Sequence, residues 1–256
     1  MLVVEDNDEL ARFILASLPP DCQGIRAANG QAGLEMALAE LPNMIISDVM
    51  MPLMDGFTLC RALKADLRTS HIPVMLLTAK TGFNDRMEGL ELGANEYLAK
   101  PFHVAELQAR IVNQLDIQRR LRERVLSELS RTTPTPSPSA ETPALDPFLI
   151  QLYARLEENL EEPDYGGDEL QRQLGMSRTG LYRKVKTLTG LSPTEIVRLY
   201  RLRRAGEFLV AGQSVSQTAY QVGFKSVAHF SRLFSQHYKV PPSQFVGSSG
   251  QDIELS

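Results

Sequence analysis

Short continuous apolar runs alternate with amphipathic stretches through the first half of the chain. Leu2–Val4, 44–47, Val74–Thr78 and 97–99 have the pattern of strands buried on both faces, and a weaker strand lies near 24–27. Between them, apolar positions recur at helical spacing over about 8–18, 31–40, 56–67, 84–92 and from 103 onward. Five strand–helix repeats predict an α/β fold, a doubly wound five-stranded parallel sheet with functional residues at the carboxyl ends of its strands. The last helical pattern does not stop where such a domain ends. Leu107, Ile111, Leu115, Leu121, Val125 and Leu129 carry an apolar stripe through the charged stretch 119–124. The spacing is not a strict heptad, so a solvated helix end and a lever or dimer helix leaving the domain are both open.

The pattern then breaks. Residues 131–147 hold five prolines among Ser and Thr and almost no apolar side chains, which predicts a partly extended linker without a core. From 148 to 246 the periodicity is helical almost throughout, so an all-α domain follows. The expected division is 1–120, a helical extension and linker over 121–147, the helical domain over 148–246, and a tail over 247–256. A chain of 256 residues is long enough for two such cores.

Charge sharpens this division. The whole chain carries a formal charge of only −4. Residues 1–131 hold 14 Lys and Arg against 18 Asp and Glu, whereas residues 172–239 hold 12 against 2, a net +10. A basic block of that density points to a polyanionic partner, with nucleic acid the leading candidate. Cys22 and Cys60 form no spacing motif, which suits a reducing compartment and no thiolate metal site. No apolar run approaches the roughly 18–20 residues that span a bilayer, and the N-terminal run is too short for a signal peptide. The expectation is a cytoplasmic chain that makes no membrane contact of its own.

Chemistry concentrates at the strand ends. Glu5 and Asp6 end the first apolar run, Asp48 the third, Thr78 the fourth and Lys100 the fifth. Mg²⁺ prefers hard oxygen ligands and keeps several waters. Glu5, Asp6 and Asp48 would supply carboxylates, with the Met50 backbone carbonyl a further ligand. An Asp48 oxygen could then attack phosphorus in line, while Lys100 and the Thr78 hydroxyl contact other phosphoryl oxygens. Any one of these residues alone is more simply an ordinary polar group at a sheet edge.

As a set they are more specific. Asp48 and Thr78 lie 30 residues apart, Thr78 and Lys100 lie 22 apart, and Pro101-Phe102 follows. Over about residues 1–120 the sequence closely resembles the receiver domain of two-component response regulators, a flavodoxin-like fold. The resemblance implies that Glu5 and Asp6 are the acidic pair, Asp48 the phospho-acceptor, Thr78 and Tyr97 the switch residues, and Lys100 the phosphate-contacting lysine. It also implies a cis Lys100–Pro101 bond. Tyr97 taken by itself reads equally well as a packed core aromatic. Receivers usually have residues before the first strand, whereas this one begins at Met1 or Leu2. That leaves open a tight start or the tail of a longer polypeptide.

The helical half contains two helix–turn–helix patterns. In the first, 168–174 is a short helix, Gly175-Met176-Ser177 the turn, and 177–188 the second helix, with Ser177 an effective N-cap. In the second, 216–222 is followed by Gly223-Phe224 and by 226–237; Pro193–Val210 joins the two. The segments 190–196, 201–205, 219–224, 229–234 and 241–245 look like an AraC-type DNA-binding domain. The resemblance implies two recognition helices entering successive major grooves about 34 Å apart. Arg178, Thr179, Tyr182 and Arg183 would face DNA from the first, and Val227, Ala228, His229 and Arg232 from the second. Arginine can read guanine edges, although a phosphate contact is the more frequent use of any single arginine. Leu181, Val185, Phe230, Leu233 and Phe234 read as core. Gln171, Thr218, Gly206 and Gly180 depart from the family pattern.

Together these features describe a phosphorylation-controlled DNA-binding regulator that is not itself an enzyme, with Mg²⁺ as cofactor. Its partners would be DNA, a histidine kinase and, through the long helix, a second copy. The order of parts also resembles the cytoplasmic end of a hybrid sensor, in which a kinase precedes the receiver on one chain. A metal-dependent phosphatase is a third reading, but it would need an added general acid and a substrate cap, and neither is visible.

Overall fold

The computed structural model describes residues 1–79, 94–130 and 146–245, and the chain divides into two units, Met1–Arg122 and Glu123–Ser256. The expected helix at 84–92, most of the linker (131–145) and the tail lie outside the described residues.

The first unit carries strands β1 (Leu2–Val4), β2 (Ile25–Ala27), β3 (Ile45–Asp48), β4 (Val74–Thr78) and β5 (Glu96–Ala99). All pair in parallel in the order β2-β1-β3-β4-β5. Every residue of β1, β3 and β4 is buried, as their continuous apolar runs require. Alternate side chains feed two cores. Leu2, Val4, Ile45, Val74 and Leu76 pack with Ala37 of α2 (Gly30–Glu40) and with Leu59 and Leu63 of α3 (Gly56–Ala65). Val3, Ile46, Met75, Leu77 and Leu98 pack with Ile14 of α1 (Asp8–Ala16) and with Leu107 and Ile111 of α4 (Val104–Ser130). Helices thus cover both faces, and the strand order reverses between β1 and β3. A crevice opens at that switch point, beyond the carboxyl ends of the strands.

The differences from the sequence expectation are local. Helix α1 ends at Ala16 rather than 18, because Ser17 caps it and Pro19-Pro20 follow. Helix α3 ends at Ala65 rather than 67, because Asp66 turns extended and its carboxylate holds the Arg68 guanidinium. Strand β3 extends one residue further than expected, to Asp48 itself. Asp55 caps α3 through the Thr58 N–H, at 2.6 Å. Gly56 is required there, since a Cβ would collide with the Asp48 carbonyl oxygen. Helix α4 runs 27 residues. Asp116 pairs with both Arg119 and Arg120 along it, while Ile117 and Leu121 stay exposed.

The second unit is helical: α5 (Pro147–Glu158), α6 (Gly167–Gln173), α7 (Arg178–Thr189), α8 (Pro193–Val210), α9 (Val215–Gln221) and α10 (Val227–Tyr238), followed by a 3₁₀ turn at Pro242–Gln244. Most start on a capping side chain: Asp146 for α5, Ser177 for α7, Ser192 with Glu195 in a capping box for α8, Ser214 for α9 and Ser226 for α10. The first short helix begins one residue earlier than expected, and the second begins one earlier because Ser214 takes the cap. Gly175 (φ 63°) and Gly223 (φ 77°) form the two turns in the left-handed region. A Cβ on Gly223 would also lie 2.6 Å from the Leu160 carbonyl oxygen.

Leu181, Val185, Phe230 and Phe234 are core as expected, whereas Leu233 is half-buried. Among the four departures, Gly206 is buried and Gln171 half-buried. Gly180 lies against its own cap, its N–H 3.0 Å from Ser177 Oγ. Thr218 is fully buried, and its hydroxyl meets no hydrogen-bond partner among the described residues.

Candidate phosphoryl site and DNA-facing helices

Four strand tips build the first site. The Glu5 N–H donates to the Ala27 carbonyl at 3.1 Å, which fixes the residue just beyond β1. Asp48 ends β3, and its Oδ1 accepts from the Val49 N–H at 2.8 Å. Lys100 follows β5, its backbone N–H donating to the Thr78 carbonyl at 2.7 Å. The Lys100 ammonium then lies 2.9 Å from Asp48 Oδ2 and 3.0 Å from Glu5 Oε2. The Lys100–Pro101 peptide is cis.

Glu5, Asp6 and Asp48 each offer a carboxylate oxygen, and these atoms all lie within 4.8 Å of one another. Glu5 and Asp48 are buried and Asp6 is exposed, so the cluster opens to solvent on one side. Burial pushes the Glu5 carboxyl up, against the lowering pull of the Lys100 ammonium and the Asn7 N–H. Three carboxylates facing one ammonium leave an excess of negative charge in a partly desolvated crevice. The donor set is all oxygen and suits a hard divalent ion such as Mg²⁺.

Three further candidate residues lie at or near the strand ends. Thr78 is buried at the tip of β4 and pairs in register with Ala99. Tyr97 on β5 is half-buried against the core on the α2 and α3 side. Met50 lies two residues beyond Asp48, with its side chain in solvent.

In the second unit the second helix of each motif turns its N-terminal residues outward. Arg178, Thr179 and Tyr182 are exposed on α7, and Arg183 is half-buried. On α10, Ala228, His229 and Arg232 are exposed and Val227 is half-buried. The His229 ring sits edge-on to Phe224 with centroids 5.8 Å apart. Lys184, outside the set of candidate contacts, is fully buried on the inner side of α7. The available signal was position: Lys184 stands in the stripe of Leu181, Val185 and Leu188, where helical spacing calls for an apolar side chain.

Comparison with known proteins follows the same division. The family model of the response regulator receiver domain matches residues 1–112, and that of a helix-turn-helix domain matches residues 170–248. Histidine kinase P4 of Formosa agariphila is 38% identical over 247 residues, which is 96% of this chain and 18% of that protein. Response regulator PleD of Caulobacter vibrioides is 46% identical over 112 residues, 43% of this chain and 25% of PleD. The chain therefore spans a quarter or less of the length of these two relatives. The solved receiver domain of Francisella response regulator 1452 is 31% identical and aligns over 44% of this chain and 93% of its own, with a TM-score of 0.41. Residues 1–112 thus belong to the response regulator receiver family and residues 170–248 to the helix-turn-helix domain family, joined on one chain.

Proposed function

We propose that this chain is a transcriptional regulator whose DNA binding is controlled by phosphorylation of Asp48. The observation that carries the reading is the convergence of Asp48, Glu5, Asp6 and Lys100 at the strand tips, on a chain that also presents two helices with outward-facing arginines, Arg178 and Arg232. Glu5, Asp6, Asp48 and the Met50 carbonyl would hold Mg²⁺, which supplies charge neutralisation for the phosphoryl oxygens when bound. Asp48 forms a bond to the phosphorus of a phosphohistidine, the phosphorus–nitrogen bond breaks, and its electron pair returns to the imidazole of the kinase. The Lys100 ammonium leaves its bridge between the two carboxylates to meet a phosphoryl oxygen, and the Thr78 hydroxyl donates to another. The added negative charge draws Thr78 toward Asp48, and Tyr97 changes its burial in response.

The output is DNA binding by Arg178, Thr179, Tyr182 and Arg183 in one major groove and Val227, Ala228, His229 and Arg232 in the next. The functional division is a receiver over 1–120, an extension and linker over 121–147 and a DNA-binding domain over 148–246. The reading is of a regulator rather than an enzyme, acting in the cytoplasm, with the α4 stripe available for pairing with a second copy. No helix among the described residues is long and apolar enough to cross a membrane.

Alignment of nearly the whole chain with a segment of histidine kinase P4 favours a second reading of the phosphoryl source, in which the kinase lies on the same polypeptide. The test is labelling by acetyl phosphate with Mg²⁺, which needs no kinase. The wild-type chain should label and Asp48→Ala should not; labelling that survives the substitution would overturn the assignment. An immunoblot of native cells then distinguishes the two sources, through a species of this chain's mass or a much larger one.

A further inference from the structure

Lys184 is the one lysine among the described residues with no exposed surface, and it lies on a helix that the proposed function assigns to DNA. A buried ammonium is costly unless other groups compensate it. Two of the groups that do so lie at the start of α5, its N-cap Asp146 and Phe148 in its first turn. The Asp146 carboxylate lies 4.0 Å from Nζ, and the Phe148 ring centroid 4.7 Å from it. Asp146 also caps α5, its Oδ1 accepting from the Phe148 N–H at 2.8 Å. One carboxylate therefore starts the helical unit and faces the inner side of α7.

The far end of α5 is tied elsewhere. Glu157 accepts from the Tyr200 hydroxyl at 2.7 Å and from the Arg204 guanidinium at 2.9 Å, both on α8. Helix α5 is thus anchored to the helix joining the two motifs, and its first turn holds the back of the first recognition helix. An apolar residue at 184 would fill the same stripe without fixing a distance or an orientation. A cation between a carboxylate and a ring does fix them.

We propose that Lys184 is a positioning residue for DNA recognition. Through Asp146 and Phe148, the point where the chain enters the helical unit sets how α7 is presented to its groove. The inference rests on the DNA-binding reading given above, and it adds that the linker's exit acts on the first half-site rather than on both.

The test uses the full chain and a duplex enriched from a random pool by the wild-type protein, read by hydroxyl-radical footprinting beside thermal unfolding. Arg178→Ala marks the half-site belonging to α7. Lys184→Met should remain folded at the binding temperature: the apolar residue fills the stripe and Asp146 keeps its cap bond from the Phe148 N–H, although loss of its cation costs some stability. It should nevertheless bind the selected duplex about tenfold more weakly, with protection lost over the marked half only. Lys184→Arg should restore much of that protection. Asp146→Asn keeps a capping side chain and removes the charge. It should weaken the same half, and it carries the test if Lys184→Met does not fold. Unchanged protection in both Asp146→Asn and Lys184→Met, or equal loss over both halves, overturns the inference. If the wild-type chain enriches no duplex, the DNA-binding reading itself fails.

Discussion

The proposed phosphoryl site and the helices proposed to face DNA assemble their functional groups in opposite ways. In the first, residues 95 positions apart in sequence are brought within 3.0 Å, as Glu5 and Lys100 are. No single element makes that site; the tips of four strands do. In the second, each set of candidate contacts lies within about two turns of one helix, and the fold needs only to turn that helix outward. The difference teaches where a substitution should be decisive and where its effect should be graded. A convergent site fails when one member is lost, whereas a helix that presents several contacts loses them one at a time.

The largest effect should fall on Asp48. Asp48→Asn removes the only nucleophile proposed for the receiver, and phosphoryl labelling should drop to background in a phosphate-affinity gel. Glu5→Gln comes next. It removes a metal ligand and one partner of Lys100, so Mg²⁺ affinity should fall about tenfold or more, measured by titration of the chain with the metal alone. Equal Mg²⁺ affinity would mean that Glu5 serves Lys100 and not the metal. On the DNA side the steps should be smaller. Arg183→Ala should weaken binding to a selected duplex by about 1–3 kcal/mol if it reads a base edge. Arg232→Ala should lower affinity similarly across sequences and reduce the salt slope by about 1 if it contacts phosphate. An arginine substitution that abolished all binding would break the contrast between convergent and distributed sites.

The same contrast decides what the sequence discloses. The strands were readable because β1, β3 and β4 are buried on both faces and must be apolar throughout. The convergent site was readable because its residues are unusual at such positions: a carboxylate, a hydroxyl and an amine at the ends of buried runs, at restrictive spacing. The outward-facing residues of α7 and α10 followed from the two turns and their caps. Details that depend on competition between neighbours were not readable. Ser214 and Ser216 can each cap a helix, and only the backbone decides that Ser214 does. The apolar run over 44–47 puts Asp48 at the strand's tip without saying whether it pairs, and its pairing with Leu77 makes it the last residue of β3. Lys184 was hidden for a different reason. A lysine on a basic helix reads as solvated, and its burial depends on Asp146 and Phe148, which lie on another helix.

The smallest expected effect concerns Thr218, which separates packing from recognition within the second motif. Its side chain is fully buried in α9 and its hydroxyl has no described partner, so the fold bears a desolvated polar group with no hydrogen bond in return. Thr218→Val keeps the branched shape and removes that group. Relieving such a group is worth about 1–3 kcal/mol, and the low end applies because the new methyl must fit the space of a hydroxyl. A gain of about 1 kcal/mol should raise the unfolding midpoint of a helical unit of this size by about 4–8 °C. The exposed residues Ala228, His229 and Arg232 lie on α10 rather than α9, so affinity for a selected duplex should stay within about twofold of wild type, the range of independent sites. Higher stability with unchanged binding would show that the second recognition helix is presented by the fold without being tuned by this part of its core. A change in binding at unchanged stability would place Thr218 in the recognition mechanism and bring the second motif closer to the tightly coupled behaviour expected of the phosphoryl site.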